Sequence, residues 1–167
     1  MTTRRQILGG GVCLVALASA ARLLGGGSAR AAAADHVTHT DAEWKSLLTP
    51  AQYTVLRQEG TERPGTSELL HEERAGTFGC AGCDLPLFSS KTKFDSGTGW
   101  PSFWAPLDNA VVEKEDNSYG MTRTAVTCRR CDGHLGHVFN DGPKPTGLRY
   151  CMNGVAMKFV PAGVSAS

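Results

Sequence analysis

The sequence predicts a mainly β domain with two short helices at its N-terminal end and a structural metal site, and three observations predict it. Helical signals are confined to residues 41–59. After Gly60, Gly, Pro, Asp and Asn recur every few residues between short apolar or β-branched runs, the texture of short strands joined by tight turns. Two C-x-x-C pairs lie in that β region with 44 residues between them, which suits one four-cysteine metal site.

The chain has 167 residues and divides near residue 34. Residues 1–34 hold Arg4, Arg5, Arg22 and Arg30, six of the 20 glycines and no acidic residue. Arg4 and Arg5 precede 16 uncharged residues, Gln6 to Ala21, and small residues surround Ala29-Arg30-Ala31. A positive start, a short apolar middle and a small-residue end are the parts of an export signal. The paired arginines and the glycine-diluted run fit the twin-arginine type, with an ordinary Sec signal or an uncleaved anchor as alternatives. The expectation is an exported, periplasmic protein cut near Ala31–Ala34, with Cys13 lost in the leader.

Residues 35–167 then form one domain of 133 residues, enough to bury roughly 65–70% of the surface of its unfolded chain. Without the leader the 17 basic residues fall to 13 against 16 acidic ones, a net charge of −3. That balance lacks the basic excess that phosphate binding needs, so nucleic acid is excluded as a partner. Nothing in the pattern asks for more than a monomer.

Asp41 to Leu48 has helical spacing, with Trp44, Leu47 and Leu48 expected on one side. Thr49-Pro50-Ala51-Gln52 follows. Thr suits an N-cap, Pro the first helical position, and Gln completes a capping box, so a second helix is expected from 50 to about 59 with Gly60 as its stop. The runs 110–112, 125–127 and 155–160 read as strands, and Asp141 to Pro145 as a loop.

Cys80-Ala-Gly-Cys83 and Cys128-Arg-Arg-Cys131 are the two pairs. A two-residue spacer lets a tight turn aim both sulfurs at one point, and two such turns supply a tetrahedron for zinc. Gly82 and Gly133 fit the shape of such turns. Two disulfides or two redox pairs are the alternatives, but a two-residue spacer strains a disulfide and neither pair has a βα redox context.

Cys151 is left over, in Arg149-Tyr150-Cys151-Met152-Asn153-Gly154, with Arg149 and Asn153 on its alternating face. A single cysteine in an exported protein is either an inert core residue or a reactive thiol. Arg149 and a histidine brought near by the fold favour the thiolate. His134 and His137, in Gly133-His134-Leu135-Gly136-His137, are candidate general acids or satisfied packing residues. Trp100 and Phe103, in the turn from Gly97 to Trp104, are core plugs or the walls of a small apolar pocket.

The segments 92–103, 133–143 and 147–154 together resemble the B-type peptide methionine sulfoxide reductases, and the resemblance runs from about Trp44 to Pro161. It implies a small two-sheet antiparallel β barrel with N-terminal helices. It also implies reduction of methionine R-sulfoxide, protein-bound and free, with Cys151 as nucleophile and a sulfenic acid on Cys151 as intermediate. Cys80, Cys83, Cys128 and Cys131 match the ligands of a structural zinc. His137 and Asn153 match residues that handle the sulfoxide oxygen and its proton, with His134 in support. Trp100 matches the aromatic that receives the substrate methyl, with Phe103 and Arg149 as further substrate-binding candidates. An external, thioredoxin-like thiol reductant is the implied partner. Many members carry a second, resolving cysteine in the Gly-x-Gly-Trp-Pro turn, where this chain has Thr98. The rival readings are a zinc-ribbon module that binds protein without catalysis and an exported thiol redox carrier.

The leader reading generates a direct test. Changing Arg4 and Arg5 together to Lys keeps the charge and removes the paired guanidinium groups. The precursor is expected to remain in the cytoplasm on cell fractionation, whereas unchanged export points to the Sec route.

Overall fold

Each helix begins with a threonine that closes a capping box. In the computed structural model, which describes residues 35–163, the Thr40 side chain accepts from the Glu43 amide while Glu43 reaches back to the Thr40 amide. Thr49 and Gln52 repeat the arrangement, with Pro50 at the first helical position. The helices are α1, Asp41–Leu47, and α2, Pro50–Gln58. Residues 1–34, including the expected signal and its cleavage region, lie outside the described residues.

Two details differ from expectation. Leu47 is 59% exposed while Trp44 and Leu48 are buried. The helix ends at Leu47, and Leu48 turns inward as an extended residue (φ −107°) rather than as part of the helical face. The left-handed stop of α2 is Glu59 (φ 56°), one residue before Gly60, whose amide returns to the Thr54 carbonyl at 3.0 Å.

The strands form two antiparallel sheets. The smaller has the order β2-β1-β9, from β1 (Gly76–Cys80), β2 (Pro86–Ser89) and β9 (Met157–Pro161). The larger has the order β3-β4-β8-β7-β6-β5. Its strands are β3 (Lys93–Phe94), β4 (Ser102–Phe103), β5 (Val111–Asp116), β6 (Arg123–Cys128), β7 (His134–Phe139) and β8 (Arg149–Met152). The strands expected near 110–112 and 125–127 are parts of β5 and β6. The run 155–160 starts late, because Gly154–Ala156 forms a 3-10 turn. Among the described residues the strands do not close into one hydrogen-bonded cylinder, so the implied barrel is two open sheets. No helix among them is long and apolar enough to cross a membrane.

Between the sheets lies a core of Phe78, Leu87, Phe88, Phe103, Val126, Leu135 and Met152, all without exposed surface. Phe103 stacks on Phe88 at 4.4 Å between ring centroids and meets Phe78 edge-on at 5.0 Å. It therefore ties β4 to two strands of the other sheet, β1 and β2, and walls no surface pocket. Strand alternation explains this: Ser102 points to one face of the large sheet, and its neighbour Phe103 must point to the other. α2 covers the start of β7 and the turn at Gly154–Ala156.

Phe103→Ala is expected to destabilise the fold by about 3–5 kcal/mol, read as a lowered urea midpoint. Trp100→Ala is expected to cost much less stability, because that ring is only half-buried.

Candidate functional site

Four sulfurs converge where the β1–β2 and β6–β7 turns meet. The Sγ atoms of Cys80, Cys83, Cys128 and Cys131 all lie within 4.8 Å of one another. Cys80 to Cys131 is 3.7 Å, and Cys83 to Cys128 is 3.5 Å. A tetrahedral metal with bonds of about 2.3 Å to sulfur sets its ligands about 3.8 Å apart, so the donor set has the size and chemistry of a metal site. The described cysteines are all free thiols rather than disulfides.

The two turns are built alike. Cys80 N–H donates to the Leu85 carbonyl and Asp84 N–H to the Cys80 carbonyl, each at 2.9 Å. Cys128 N–H donates to Gly133 at 2.8 Å and Asp132 N–H to Cys128 at 2.9 Å. The left-handed residue in each turn is the aspartate after the second cysteine, Asp84 (φ 59°) or Asp132 (φ 55°), not a glycine. Gly133 is needed for packing instead, since a Cβ there would sit 2.8 Å from Leu56 Cδ2 on α2. Arg57 donates to the Cys131 carbonyl at 2.8 Å, and Arg130 to the Cys83 carbonyl at 3.3 Å. Asp35 pairs with Arg129 and Arg130, so guanidinium groups crowd a cluster that becomes anionic once its thiols ionise.

Cys151 lies in a row of side chains across the large sheet. Phe94, Ser102, Cys151, His137, Ala125 and Lys114 are successive cross-strand partners, and directly opposite residues share a face. The close approach of β7 to β8 in this row depends on Gly136, where a Cβ would lie 2.2 Å from the Cys151 carbonyl oxygen.

The sulfur of Cys151 is half-buried and faces hydroxyls. Thr98 Oγ1 is 3.8 Å from it, Ser96 joins Thr98 at 2.8 Å, and Ser102 joins Ser96 at 2.8 Å. Arg149, two residues along β8, is locked by a bidentate pair with Asp141, both contacts at 2.8 Å, and lies 4.4 Å over the Phe139 ring. Burial pushes the Cys151 thiol above its ordinary range, while Thr98, Arg149 and Ser102 pull it back only in part. The thiolate expected from the sequence is therefore not the resting form, because desolvation outweighs the hydroxyls and the guanidinium.

The two histidines differ. His134 is 4% exposed, and its Nε2 is buried without a hydrogen-bond partner. Burial, followed by repulsion from His137, lowers its pKa to about 4, so it is neutral at pH 7. His137 is partly exposed, with Nε2 2.8 Å from Asp116 Oδ2. The ring centroids are 5.3 Å apart. Both line a cleft of about 540 Å³ that also includes Asp116, Arg123, Ala125 and Glu59.

Trp100 and Asn153 meet through Glu62. The Trp100 indole N–H donates to the Glu62 carbonyl at 3.2 Å, and Glu62 N–H donates to Asn153 Oδ1 at 2.9 Å. The Glu62 carboxylate accepts from Gly154 N at 2.6 Å and Val155 N at 3.0 Å. Asn153 Nδ2 donates to the Leu135 carbonyl at 3.0 Å. Both ends of this buried carboxamide are thus committed to holding the turn after β8, which is a positioning arrangement rather than one that presents the amide to an oxygen.

A lone thiol beside one neutral and one carboxylate-paired histidine, set apart from four cysteines that could hold a metal ion, defines a β protein of thiol chemistry. The chain belongs to the SelR domain family, which matches residues 48–161. It is 60% identical over 126 residues to the peptide methionine sulfoxide reductase MsrB of Pseudomonas putida strain W619, covering 75% of this chain and 95% of that protein. MsrB of Leptospira interrogans is 55% identical over 124 residues, covering 74% and 95%. MsrB of Agrobacterium fabrum is 54% identical over 126 residues, covering 75% and 93%.

The structure therefore brings Cys151, His137, His134 and Arg149 together, ties Trp100 to Asn153 through Glu62, and removes Phe103 to the core. Sequence reasoning missed Asp116, Glu62, Asp141 and the serines at 96 and 102. Asp116 and Glu62 belong to segments distant in sequence from their partners, and no local pattern marks them. Asp141 and Ser102 lay inside the segments that carried the family resemblance.

In the free protein, iodoacetamide should alkylate Cys151 slowly at pH 7, with a midpoint in rate above that of free cysteine in the same buffer. Thr98→Val removes a hydrogen bond to the thiolate and should raise the midpoint further. A midpoint below the free amino acid would contradict the burial argument.

Proposed function

We propose that the Cys151 sulfur takes the oxygen of methionine R-sulfoxide, with His137 supplying the proton and Trp100 receiving the substrate methyl. Membership of the MsrB family makes this chain a peptide-methionine (R)-S-oxide reductase, which returns oxidised methionine in proteins to methionine at the expense of a thiol. The observation that carries the residue assignment is the direct cross-strand pairing of Cys151 with His137.

The chemistry follows from that pairing. A sulfoxide sulfur is electrophilic, and the Cys151 sulfur attacks it once its proton has left. Protonation of the oxygen weakens its bond to the methionine sulfur. The attack forms an S–S bond; the protonated oxygen then passes from the methionine sulfur to the Cys151 sulfur as the S–S bond and the methionine S–O bond break, so methionine is reduced by two electrons and Cys151 is oxidised by two, to a sulfenic acid. His134, neutral at pH 7, cannot be the cationic donor and remains in support. Because burial disfavours the resting thiolate, proton transfer is coupled to substrate binding. Glu62 and Asn153 hold Trp100 and the end of β8, and Arg149 with Asp141 stabilises negative charge on sulfur. Free methionine sulfoxide reacts by the same contacts if it reaches the cleft.

Zinc is the metal proposed for the four paired cysteines. Bound there it supplies a structural tie, and no chemical step passes through it. Twin-arginine export of a folded monomer suits this site, because zinc can be loaded before the thiols leave the reducing cytoplasm.

With Thr98 against Cys151 where a resolving thiol would stand, an external dithiol of thioredoxin type reduces the sulfenic acid directly. Cys151→Ser should abolish reduction without unfolding the protein, since a hydroxyl is far less nucleophilic than a thiolate. Reduced enzyme mixed with excess sulfoxide and no reductant should yield about one methionine per chain, its sulfenic acid being trappable by dimedone. A mass loss of two hydrogens after that turnover would mean that a metal-site cysteine resolves the intermediate.

A further inference from the structure

We infer that Asp116 is a positioning residue for the reaction: its carboxylate holds the Nε2 side of His137, so that the Nδ1 side of the ring is the one that gives its proton to the sulfoxide oxygen. The inference rests on His137 as the proton donor.

Asp116 is the last residue of β5, two strands away from β7, yet its carboxylate reaches His137 Nε2 at 2.8 Å. Both side chains are largely buried, His137 with 13% and Asp116 with 19% of their surface exposed. The carboxylate is itself fixed. Arg123 donates to Oδ2 at 2.6 Å, and the Ser118 amide to Oδ1 at 2.9 Å. Hydrogen bonds from Ser118 and then His137 hold its pKa well below the usual carboxylate range, against a smaller opposing effect of burial. It therefore stays ionised wherever the enzyme works. Ala125, the residue opposite His137 on the intervening strand, is small, and its methyl leaves the two side chains room to meet over β6.

The other charged or titratable groups near His137 lie on the elements packed around it. Arg123 on β6, Lys114 on β5 and Arg149 on β8 are cations, and Arg149 is held in its own pair with Asp141. His134 on the same strand is neutral at pH 7. Cys151 on β8 is a thiol in the resting protein, and Glu59 after α2, Glu115 on β5 and Asp132 before β7 line the same cleft. Asp116 is the anion in direct contact with the ring. An imidazolium has two N–H groups. With Nε2–H donated to Asp116, loss of the Nδ1 proton leaves a neutral ring whose remaining hydrogen is still bound by the carboxylate. This neutral tautomer forms without reorientation of the ring, which lowers the barrier to donation.

The test is Asp116→Asn in the full mature protein, with two readouts. The first is the NMR titration of His137. The second is the pH profile of single-turnover methionine formation without reductant. An anion in contact shifts a histidine upward by about one pH unit or more. In Asp116→Asn the His137 midpoint should therefore fall by about one unit. The descending limb of the rate profile should move down with it, a loss of about tenfold at pH values above both midpoints. Asp116→Glu should restore both. Arg123→Gln removes a cation from the pair and should move the His137 midpoint the opposite way, which keeps the inference testable should Asp116→Asn fail to fold. An unchanged His137 titration in these variants overturns it. His137→Ala separates the two possible failures. If that variant reacts at the wild-type rate, the proton-donor assignment falls and this inference with it. If it is slow while Asp116→Asn titrates and reacts like the wild type, only the role of Asp116 falls.

Discussion

The four sulfurs tie together the two parts of the chain that carry the chemistry. The first cysteine pair leads out of β1, where Cys80 pairs with Met157 and the Ala81 amide donates to the Ala156 carbonyl at 2.9 Å. That contact pins the corner between β8 and β9, just past Cys151. The second pair leads into β7, which begins at His134. A metal at this point therefore fixes where the strand bearing the thiol lies relative to the strand bearing the histidines. Structural zinc contributes on the order of 10 kcal/mol to folding, comparable with the whole net stability of about 5–15 kcal/mol expected of a domain. The tie is thus large enough to decide whether the site forms at all.

Within that frame the site is set by register. One row across the large sheet delivers Ser102, Cys151 and His137 to the same face, while the neighbours Phe103 and Tyr150 turn into the core. A slip of one residue would exchange the two sets. The register is held from both sides: by aromatic packing of Phe103 on Phe88 and Phe78, and by the close contact of β7 and β8 that Gly136 permits. Burial then gives each ionisable group its character. It keeps His134 neutral and Cys151 protonated at rest, while His137, at the rim, retains a carboxylate partner.

The sequence shows the local parts of this arrangement and hides the long-range ones. Capping at Thr49, the two cysteine turns and the leftover Cys151 follow from spacing over a few residues, and each is where its pattern put it. Phe103 was ambiguous because aromatics around Gly and Pro serve equally as core or as pocket wall; the pairing of β4 with β8 decides it. The state of Cys151 was misjudged because Arg149 is visible in the sequence, whereas the burial that outweighs it is not. Asn153 carries its motif but spends its amide on Glu62 and Leu135, partners 91 and 18 residues away. Asp116 and His137 are 21 residues apart, and only the order of β5, β6 and β7 brings them together. Family membership settles the enzymatic reading over the rival binding module.

The central claim is that the metal tie positions β7 against β8. Amide hydrogen exchange, measured on the protein loaded with zinc and again after treatment with a strong chelator under reducing conditions, tests it most directly. The account predicts that residues 134–139 and 149–152 lose protection together with 76–80, far from the sulfurs as well as beside them. Loss confined to the two cysteine turns, with the amides around His137 and Cys151 still protected, would contradict it.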